Sequence, residues 1–183
     1  NTAATIAEAL RLRSDDPFRV ALRFAAKWHD EGKKADIWQR FAYGSTEDGK
    51  WLGKMVKTRH PSGLLGYRHE FGSLLRMIHP ERCNTTGVHF PGDDEAKELV
   101  LHLIATHHGG GRPHFGPGQY HPFNTAEVES LQTESIRRFA RLQRKYGWWR
   151  LAWLENLLRC ADQLASADGE AEDDPADAEG SDA

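Results

Sequence analysis

The segment DDPFRVALRFAAKWHD, residues 15–30, decides the fold class. One of the two aspartates at its start is placed to cap a helix, and Pro17 suits the first helical turn. Its apolar residues recur at steps of three and four, the spacing of a helix with one buried face: Phe18, Leu22, Ala25 and Trp28. The segment nevertheless ends in two adjacent ionisable residues, His29 and Asp30. It therefore predicts a buried helix that carries a histidine and a carboxylate at its C-terminal end.

The same helical periodicity continues along most of the chain, so we expect an all-α fold. The expected architecture is a compact bundle of about six to eight helices joined by long loops rich in glycine and proline. Helices are predicted for residues 2–13, 15–30, 35–43, 67–78, 93–108, 124–146 and 148–167. Gly147 is predicted to separate the last two helices, and residues 44–66 are predicted to form a long basic loop.

Length and composition predict one globular domain. A chain of 183 residues is long enough for one hydrophobic core and too short for two domains of ordinary size. We expect this domain to span residues 1–166. Residues 167–183 carry eight carboxylates and no Lys or Arg, which predicts a disordered acidic tail or linker. Without that tail the body of the protein is mildly basic.

Several classes of protein are disfavoured by what the sequence lacks. Cys83 and Cys160 lie 77 residues apart without a CxxC pair, so neither a disulfide framework nor a thiolate zinc site is indicated. No apolar run approaches the roughly 20 residues of a membrane span, and the N-terminus lacks the pattern of a secretory signal. We therefore expect a soluble, cytoplasmic protein without membrane contact. Because the chain begins at Asn1 rather than at a methionine, we expect it to be processed or to belong to a longer chain.

The chain contains ten histidines, and some of them lie beside other polar groups in a way that predicts metal binding. Buried ionisable groups are costly unless they are paired or bound to a metal, which applies to His29 and Asp30 at the end of a buried helix. Neighbouring helical positions point about 100° apart, so these two residues could reach two adjacent ions, or one ion from two sides. The same holds for His107 and His108. Asp162, on an apolar helix, also needs a partner.

Four motifs occur in order along the chain: HDEGK at 29–33, YRHE at 67–70, THHGG at 106–110 and ADQLAS at 161–166. On an all-α chain, this set resembles the HD superfamily of metal-dependent phosphohydrolases. More narrowly, HDEGKKADIWQRF, RHEFGSLL and HHG resemble the HD nuclease domain of the helicase-nuclease of type I CRISPR systems. In that domain HDxGK is followed by an aromatic-Gln pair, here Trp38 and Gln39. The resemblance covers nearly the whole predicted domain, residues 18–166.

This resemblance implies a set of metal ligands and a reaction. By position, the implied ligands are His29, Asp30, His69, His107, His108 and Asp162. Asp30 would bridge two ions, with His29 and Asp162 on the first ion and the other three histidines on the second. The implied cofactors are two divalent transition metal ions, Mn, Ni, Co or Fe, and the implied activity is a nuclease that prefers single-stranded DNA. Such a site activates water for phosphodiester hydrolysis without a serine or cysteine nucleophile.

The family pattern also includes a histidine from an earlier helix, and no histidine precedes His29 in this sequence. That ligand is expected upstream of Asn1, or else the first metal site is incomplete. The resemblance implies a role in type I CRISPR interference. The implied partners are then single-stranded DNA, a helicase domain on the same or a separate chain, and the CRISPR RNA-guided surveillance complex.

Basic residues near the motifs are candidates for contact with nucleic acid. Lys33 could touch the scissile phosphate during catalysis, or could form a salt bridge with an acid such as Asp36. Three further candidates lie in predicted loops: Lys54, Lys57 and Arg112. The segment RRFARLQRKYGWWR, residues 137–150, mixes basic and aromatic residues. That mixture suits either binding of a single strand or an amphipathic helix with a solvated basic face.

Two other functions stay open. An HD phosphohydrolase acting on nucleotides or other small phosphoesters would use the same ligands in a closed pocket, and a catalytically silent helical module would bind nucleic acid or a partner protein. A nucleotide-binding P-loop is not indicated, because Trp51 follows GSTEDGK where a Ser or Thr would meet Mg²⁺. Two more histidines, His60 and His114, could line a cleft. Otherwise a surface or structural role is predicted for His60, His79, His89, His102, His114 and His121.

Overall fold

The computed structural model describes residues 3, 6, 8, 11, 13–43, 64–111, 115–116 and 125–172. Within these ranges the chain is helical and contains no strand, so the predicted all-α class is confirmed. The helices are α1 Pro17–Trp28, a 3₁₀ helix Glu31–Lys34, α2 Asp36–Tyr43, α3 His69–Ile78, α4 Asp94–Thr106 and α5 Thr125–Glu172. None of the described helices has the length and hydropathy needed to cross a bilayer.

The helix α1 begins at Pro17, directly after one of the two predicted caps, and ends at Trp28, two residues before the predicted end at residue 30. The carboxylate of Asp16 accepts a hydrogen bond from the backbone N–H of Phe18 at 2.8 Å and so caps the first turn. The predicted inner face is buried at Leu22, Ala25 and Trp28. After the helix ends, His29 and Asp30 follow directly in a turn. The cap and the buried face together determine where these two polar residues emerge.

The helix α5 combines the two helices predicted at the C-terminal end of the chain. The break between them lies at Gly147, as predicted, with φ 75° and ψ 166°. Because this break is a single residue, the described ranges contain five α-helices rather than the predicted six to eight. The helix continues to Glu172, past the predicted domain boundary at residue 166. Residues 167–172 are helical because Ala and Glu, which dominate there, favour helix despite their charge pattern.

The helix α4 lies at the centre of the bundle and packs against α1, α3 and α5. Val100, Leu103 and Ile104 on this helix are fully buried. The helix α3 is also buried along most of its length, beginning with His69 at its first residue. The polar residues at the start of α3 and the end of α4 are therefore enclosed by the core rather than exposed on a rim.

A close approach between the 3₁₀ helix and α3 positions the turn after α1. A Cβ atom on Gly32 would lie 1.9 Å from the carbonyl oxygen of His69 and 2.6 Å from the backbone nitrogen of Ser73, so this position requires glycine. The N–H of Gly32 donates to Oγ of Ser73 at 2.7 Å, and that hydroxyl donates to the carbonyl of His29 at 2.5 Å. The hydroxyl of Tyr67 donates to the carbonyl of Gly32 at 2.8 Å. These bonds hold the turn after α1 against the first turn of α3.

Candidate metal centre

The six predicted ligands come from four separate segments and meet in space. They lie in the turn after α1, at the first residue of α3, in the turn after α4 and in the second half of α5: His29, Asp30, His69, His107, His108 and Asp162. Five of them form two triplets, in each of which the ligand atoms lie within 4.8 Å of one another. The triplets are His69, His107 and His108, and His29, Asp30 and His107. The two triplets overlap at His107, whose Nε2 atom can bind only one ion, so His107 would serve one of two neighbouring positions.

Asp30 lies between the two triplets. Its Oδ1 atom is 3.3 Å from Nε2 of His69, and its Oδ2 atom is 3.5 Å from Nε2 of His29. The Oδ1 atom is buried and has no hydrogen bond of good geometry among the described residues. A buried carboxylate oxygen without a donor is costly unless a cation satisfies it. Asp30 could therefore hold a cation between His29 and His69.

Hydrogen bonds to backbone carbonyls orient two of the imidazole rings. Nδ1–H of His29 donates to the carbonyl of Ala26 at 2.9 Å, and Nδ1–H of His107 donates to the carbonyl of Ile104 at 2.7 Å. With Nδ1 engaged, Nε2 is the nitrogen of each ring that could bind a metal, and it can do so only when it carries no proton. Nε2 of His107 lies 3.2 Å from Nε2 of His69. Two imidazole nitrogens at this separation need a proton or a cation between them.

Asp162 contacts His29 directly. Its Oδ1 atom lies 3.1 Å from Nε2 of His29, and because Nδ1 of that ring is already protonated, the contact requires a positively charged imidazolium. The sequence predicted that these two residues share one ion. The structure brings these two residues into contact, and their sharing of an ion stays a prediction.

The pKa values within the cluster follow from these contacts. Burial opposes protonation of His29, but the hydrogen bond with Asp162 and the charge of Asp30 outweigh it and raise the pKa of His29 above its ordinary value. Burial would raise the pKa of Asp30, yet the neighbouring imidazoles and Lys33 lower it far below its usual range. Burial and the nearby histidines hold the pKa of His107 well below its ordinary value. These contacts thus favour the charged form of His29, the ionised form of Asp30 and the neutral form of His107.

Lys33 pairs with Asp30 instead of the acid that the sequence suggested. Its Nζ atom donates to Oδ2 of Asp30 at 2.8 Å. A salt bridge to a nearby acid was one of the two interpretations of Lys33, and it is confirmed with Asp30, whereas Asp36, the acid suggested as an example, pairs with Arg40 at 3.6 Å. The reason is local geometry, because the 3₁₀ helix turns Lys33 back onto the residue three positions earlier, whereas Asp36 begins the next helix. Lys33 therefore supplies one positive charge at the carboxylate between the two triplets.

Glu70 is a buried acid beside the cluster, and no role was predicted for it from the sequence. Its side chain is fully buried, and Oε2 lies 3.6 Å from Nδ1 of His69 without a hydrogen bond among the described residues. Arg68 pairs with Oε1 of the same carboxylate. A carboxylate behind a ligand histidine orients the ring and makes Nε2 a better ligand. The adjacency of Glu70 to His69 in the sequence was the available signal.

The aromatic-Gln pair that follows HDEGK supports the same region. Trp38 packs edge-on against the ring of His69, with 5.1 Å between the ring centroids. The amide Nε2 of Gln39 donates to the carbonyl of Lys33 at 2.6 Å. Both side chains are buried. They hold a ligand histidine and the 3₁₀ helix in position.

Several predicted functional residues fall outside the described part of the chain. They are the loop candidates for DNA binding and three of the remaining histidines: Lys54, Lys57, Arg112, His60, His114 and His121. Most of the predicted basic loop, residues 44–66, also falls outside it. His102 is buried with Nε2 2.7 Å from Oε1 of Glu155, which agrees with its predicted structural role. His79 is half-buried near Glu81, and His89 is exposed.

The basic and aromatic segment at residues 137–150 lies on an amphipathic helix, one of its two predicted interpretations, and binding of a single strand stays a prediction. Phe139 and Tyr146 pack against the core. Three of its basic residues pair with glutamates of α4: Arg138, Arg141 and Lys145. Trp148 and Trp149, in contrast, are exposed by 72% and 90%. Most of the segment is therefore an amphipathic helix, and its two tryptophans stay accessible.

The donor set of the cluster fits divalent transition ions. Imidazole nitrogens and carboxylate oxygens are the ligands such ions take in proteins. A bound cation would satisfy Oδ1 of Asp30 and the facing Nε2 atoms of His69 and His107. Comparison of the chain with family models, with curated proteins and with solved structures finds no match. A function for this chain therefore rests on the geometry of its own site.

Proposed function

We propose that this chain is a metal-dependent phosphodiesterase of the HD superfamily that cleaves DNA, preferentially single-stranded, as the nuclease component of type I CRISPR interference. One observation carries the proposal: two triplets of ligand atoms share His107, and the carboxylate of Asp30 lies between them. This is the ligand arrangement expected for two divalent ions held side by side. In that setting the partners are a helicase domain on the same or a separate chain and the RNA-guided surveillance complex.

The residues of the cluster have distinct roles in this reaction. Divalent ions bound there supply an activated water and positive charge for the phosphoryl oxygens. Glu70 stands behind His69 and keeps its Nε2 atom directed into the cluster. Lys33 lies beside Asp30, where its ammonium group can contact a phosphate that enters the cluster. Asp162 holds the imidazole of His29 in its orientation.

Two features favour a polymeric substrate over a small phosphoester. His108 is exposed, so the cluster is open to solvent on at least one side. The exposed tryptophans of α5 offer stacking faces for bases, which a small phosphoester would not need. A phosphohydrolase for nucleotides would use the same ligands, and only a comparison of substrates separates the two activities.

The test is digestion of circular single-stranded DNA by the full chain with Mn²⁺, Ni²⁺, Co²⁺ or Fe²⁺ added in turn. Asp30→Ala removes the carboxylate between the triplets and should abolish cleavage. Asp36→Ala is the matched control, because Asp36 is an exposed aspartate that pairs only with Arg40 in the described part of the chain. We expect this control to cut DNA like the unaltered protein.

The outcomes separate the three candidate functions. Cleavage that is lost in Asp30→Ala and retained in Asp36→Ala supports the nuclease. Release of phosphate from nucleotides without any DNA cleavage favours the small-molecule phosphohydrolase. A chain that binds none of the four ions and cuts neither substrate is a silent helical module, and both enzymatic proposals would then be wrong.

A further inference from the structure

The second half of α5 carries a row of side chains that leads to the metal centre. Trp148, Ala152, Glu155, Arg159 and Asp162 follow one another at steps of four and three residues, so they share one side of the helix. At about 1.5 Å per residue, the row is roughly 21 Å long. One end is the exposed Trp148 and the other is the carboxylate that contacts His29.

A cleft runs beside this row, between α5 and the end of α4. Its volume is about 100 Å³, and we call it the α5 groove; its lining residues are Thr106, His107, Gly109, Ala152, Glu155, Asn156 and Arg159. His107 is also the histidine shared by the two ligand triplets. Gly109 has φ +83°, and a Cβ atom there would have no neighbour within 4 Å. The groove is thus continuous with the metal centre and open at its glycine side.

Arg159 and Trp148 differ from the other arginines and aromatic residues of α5 in their contacts. Arg138 and Arg141 pair with Glu98, but no carboxylate pairs with Arg159 in the described part of the chain. Trp148 is exposed by 72%, whereas the aromatic residues before Gly147 pack against the core. An arginine free to bind a phosphate and an aromatic face free to stack on a base are what a single strand of nucleic acid requires. The acid in the row, Glu155, is already paired with His102.

We infer that the row of side chains on α5 binds the single DNA strand that leads to the metal centre, and that the α5 groove, with its volume of about 100 Å³, holds one phosphate of this strand at Arg159. Arg159 contacts a phosphate close to the ligand cluster, and Trp148 stacks on a base roughly 21 Å from Asp162. The inference rests on the proposed nuclease function and adds to it the path of the substrate. A mononucleotide is too short to reach from the cluster to Trp148, so this path selects oligomers.

Binding in EDTA tests the path without any cleavage. The probes are fluorescein-labelled oligothymidylates of about 4 and about 16 nucleotides, followed by fluorescence anisotropy on the full chain. Trp148→Ala and Arg159→Gln are each expected to weaken binding of the longer strand by about five- to fiftyfold. Arg159→Gln should also lower the slope of log Kd against log salt by about 0.7, the value for one lost phosphate contact on a single strand.

Trp149→Ala is the matched control. Trp149 is exposed by 90%, but it points about 100° away from Trp148 around the helix and lies outside the row. We expect this variant to bind both probes like the unaltered protein. For all variants, unchanged far-UV circular dichroism and unfolding temperature establish that the helix is intact.

The inference is overturned if Trp149→Ala weakens binding as much as Trp148→Ala, or if Trp148→Ala and Arg159→Gln leave Kd and the salt slope unchanged. It is also overturned if the short and the long probe bind equally well. Loss of cleavage and loss of binding are separable here. If the variants show the expected binding differences but the chain cuts no DNA with any metal, the strand path is supported and the nuclease proposal is wrong. If the chain cuts DNA but the variants bind like the unaltered protein, only the strand path is wrong.

Discussion

Replacing Gly32 with alanine should destabilise the protein and weaken metal binding together. The added Cβ atom would lie 1.9 Å from the carbonyl oxygen of His69 and 2.6 Å from the backbone nitrogen of Ser73, and neither backbone atom can swing away. The 3₁₀ helix must therefore move off α3. That movement breaks the 2.7 Å bond from Gly32 to Ser73 and the 2.8 Å bond from Tyr67.

The expected magnitude follows from these contacts. Two lost hydrogen bonds cost about 1 kcal/mol each, and overpacking adds about 1 to 3 kcal/mol, so the free energy of unfolding should fall by about 3 to 5 kcal/mol. For a chain of this size, such a loss lowers Tm by about 10 °C. Because Asp30 moves with the 3₁₀ helix, its distance from His69 should grow and Mn²⁺ should bind more weakly. Scanning calorimetry measures Tm, and titration calorimetry measures the Mn²⁺ affinity of the same preparation.

Gly110→Ala is the matched control, since a Cβ atom on Gly110 would meet its nearest neighbours only at 4.0 Å. It is also close to the site, through Arg68 and Glu70. We expect this variant to keep the stability and the Mn²⁺ affinity of the unaltered chain. If Gly32→Ala behaved like Gly110→Ala in both measurements, the contact between the 3₁₀ helix and α3 would not be what positions Asp30.

Three further predictions concern the electrostatics of the cluster. Lys33→Met removes a cation from Asp30, so it should cost the metal-free protein at most about 1 kcal/mol in urea unfolding and should raise Mn²⁺ affinity in titration calorimetry; a lower affinity would contradict the pairing. The raised pKa of His29 contributes stability in EDTA that is present below the ordinary histidine pKa of about 6.5 and is lost as the pH rises through the raised value. Thermal unfolding of His29→Asn in EDTA should lack this dependence of stability on pH. The Mn²⁺ affinity of the unaltered chain should rise over the same pH interval, because the imidazole of His29 must lose its proton before it binds a metal. Glu70→Gln should weaken Mn²⁺ binding about tenfold or more, since His69 loses the carboxylate behind it, and an unchanged affinity would rule out that role.

Much of the fold could be predicted from the sequence because the signals are local. The cap at Asp16 and the apolar spacing of α1 involve neighbours within a few residues, and the break at Gly147 follows from glycine's tolerance of positive φ. The helix α5 continues past residue 166 because Ala and Glu favour helix even in an acidic segment, and the domain boundary at residue 166 stays a prediction. Acidic composition alone does not separate a helix from a disordered segment.

The candidate site was predictable in its residue types and less so in its pairings. The doubled histidines and the adjacent His29 and Asp30 identify ligands by chemistry, and the structure brings all six predicted ligands close together. A salt bridge of Lys33 to a nearby acid was predictable, but the choice of Asp30 over Asp36 depends on how a 3₁₀ turn is followed by a helix. The buried position of Glu70 was not predictable from its charge.

The sequence by itself determined the helical class, the cap of α1 and the break at Gly147, because each depends on residues that are close together along the chain. The candidate metal ligands follow from the order of four motifs between residues 29 and 166, and their role stays a prediction. Only the tertiary structure decided that Asp162, which is 133 residues from His29, hydrogen-bonds to it, and that His107 belongs to both triplets. It also decided which arginines of α5 pair with glutamates of α4 in the described part of the chain. The physical reason is that these contacts arise when α1, α3, α4 and α5 bury their apolar faces together, and the polar ends of the helices are carried to one place by that packing.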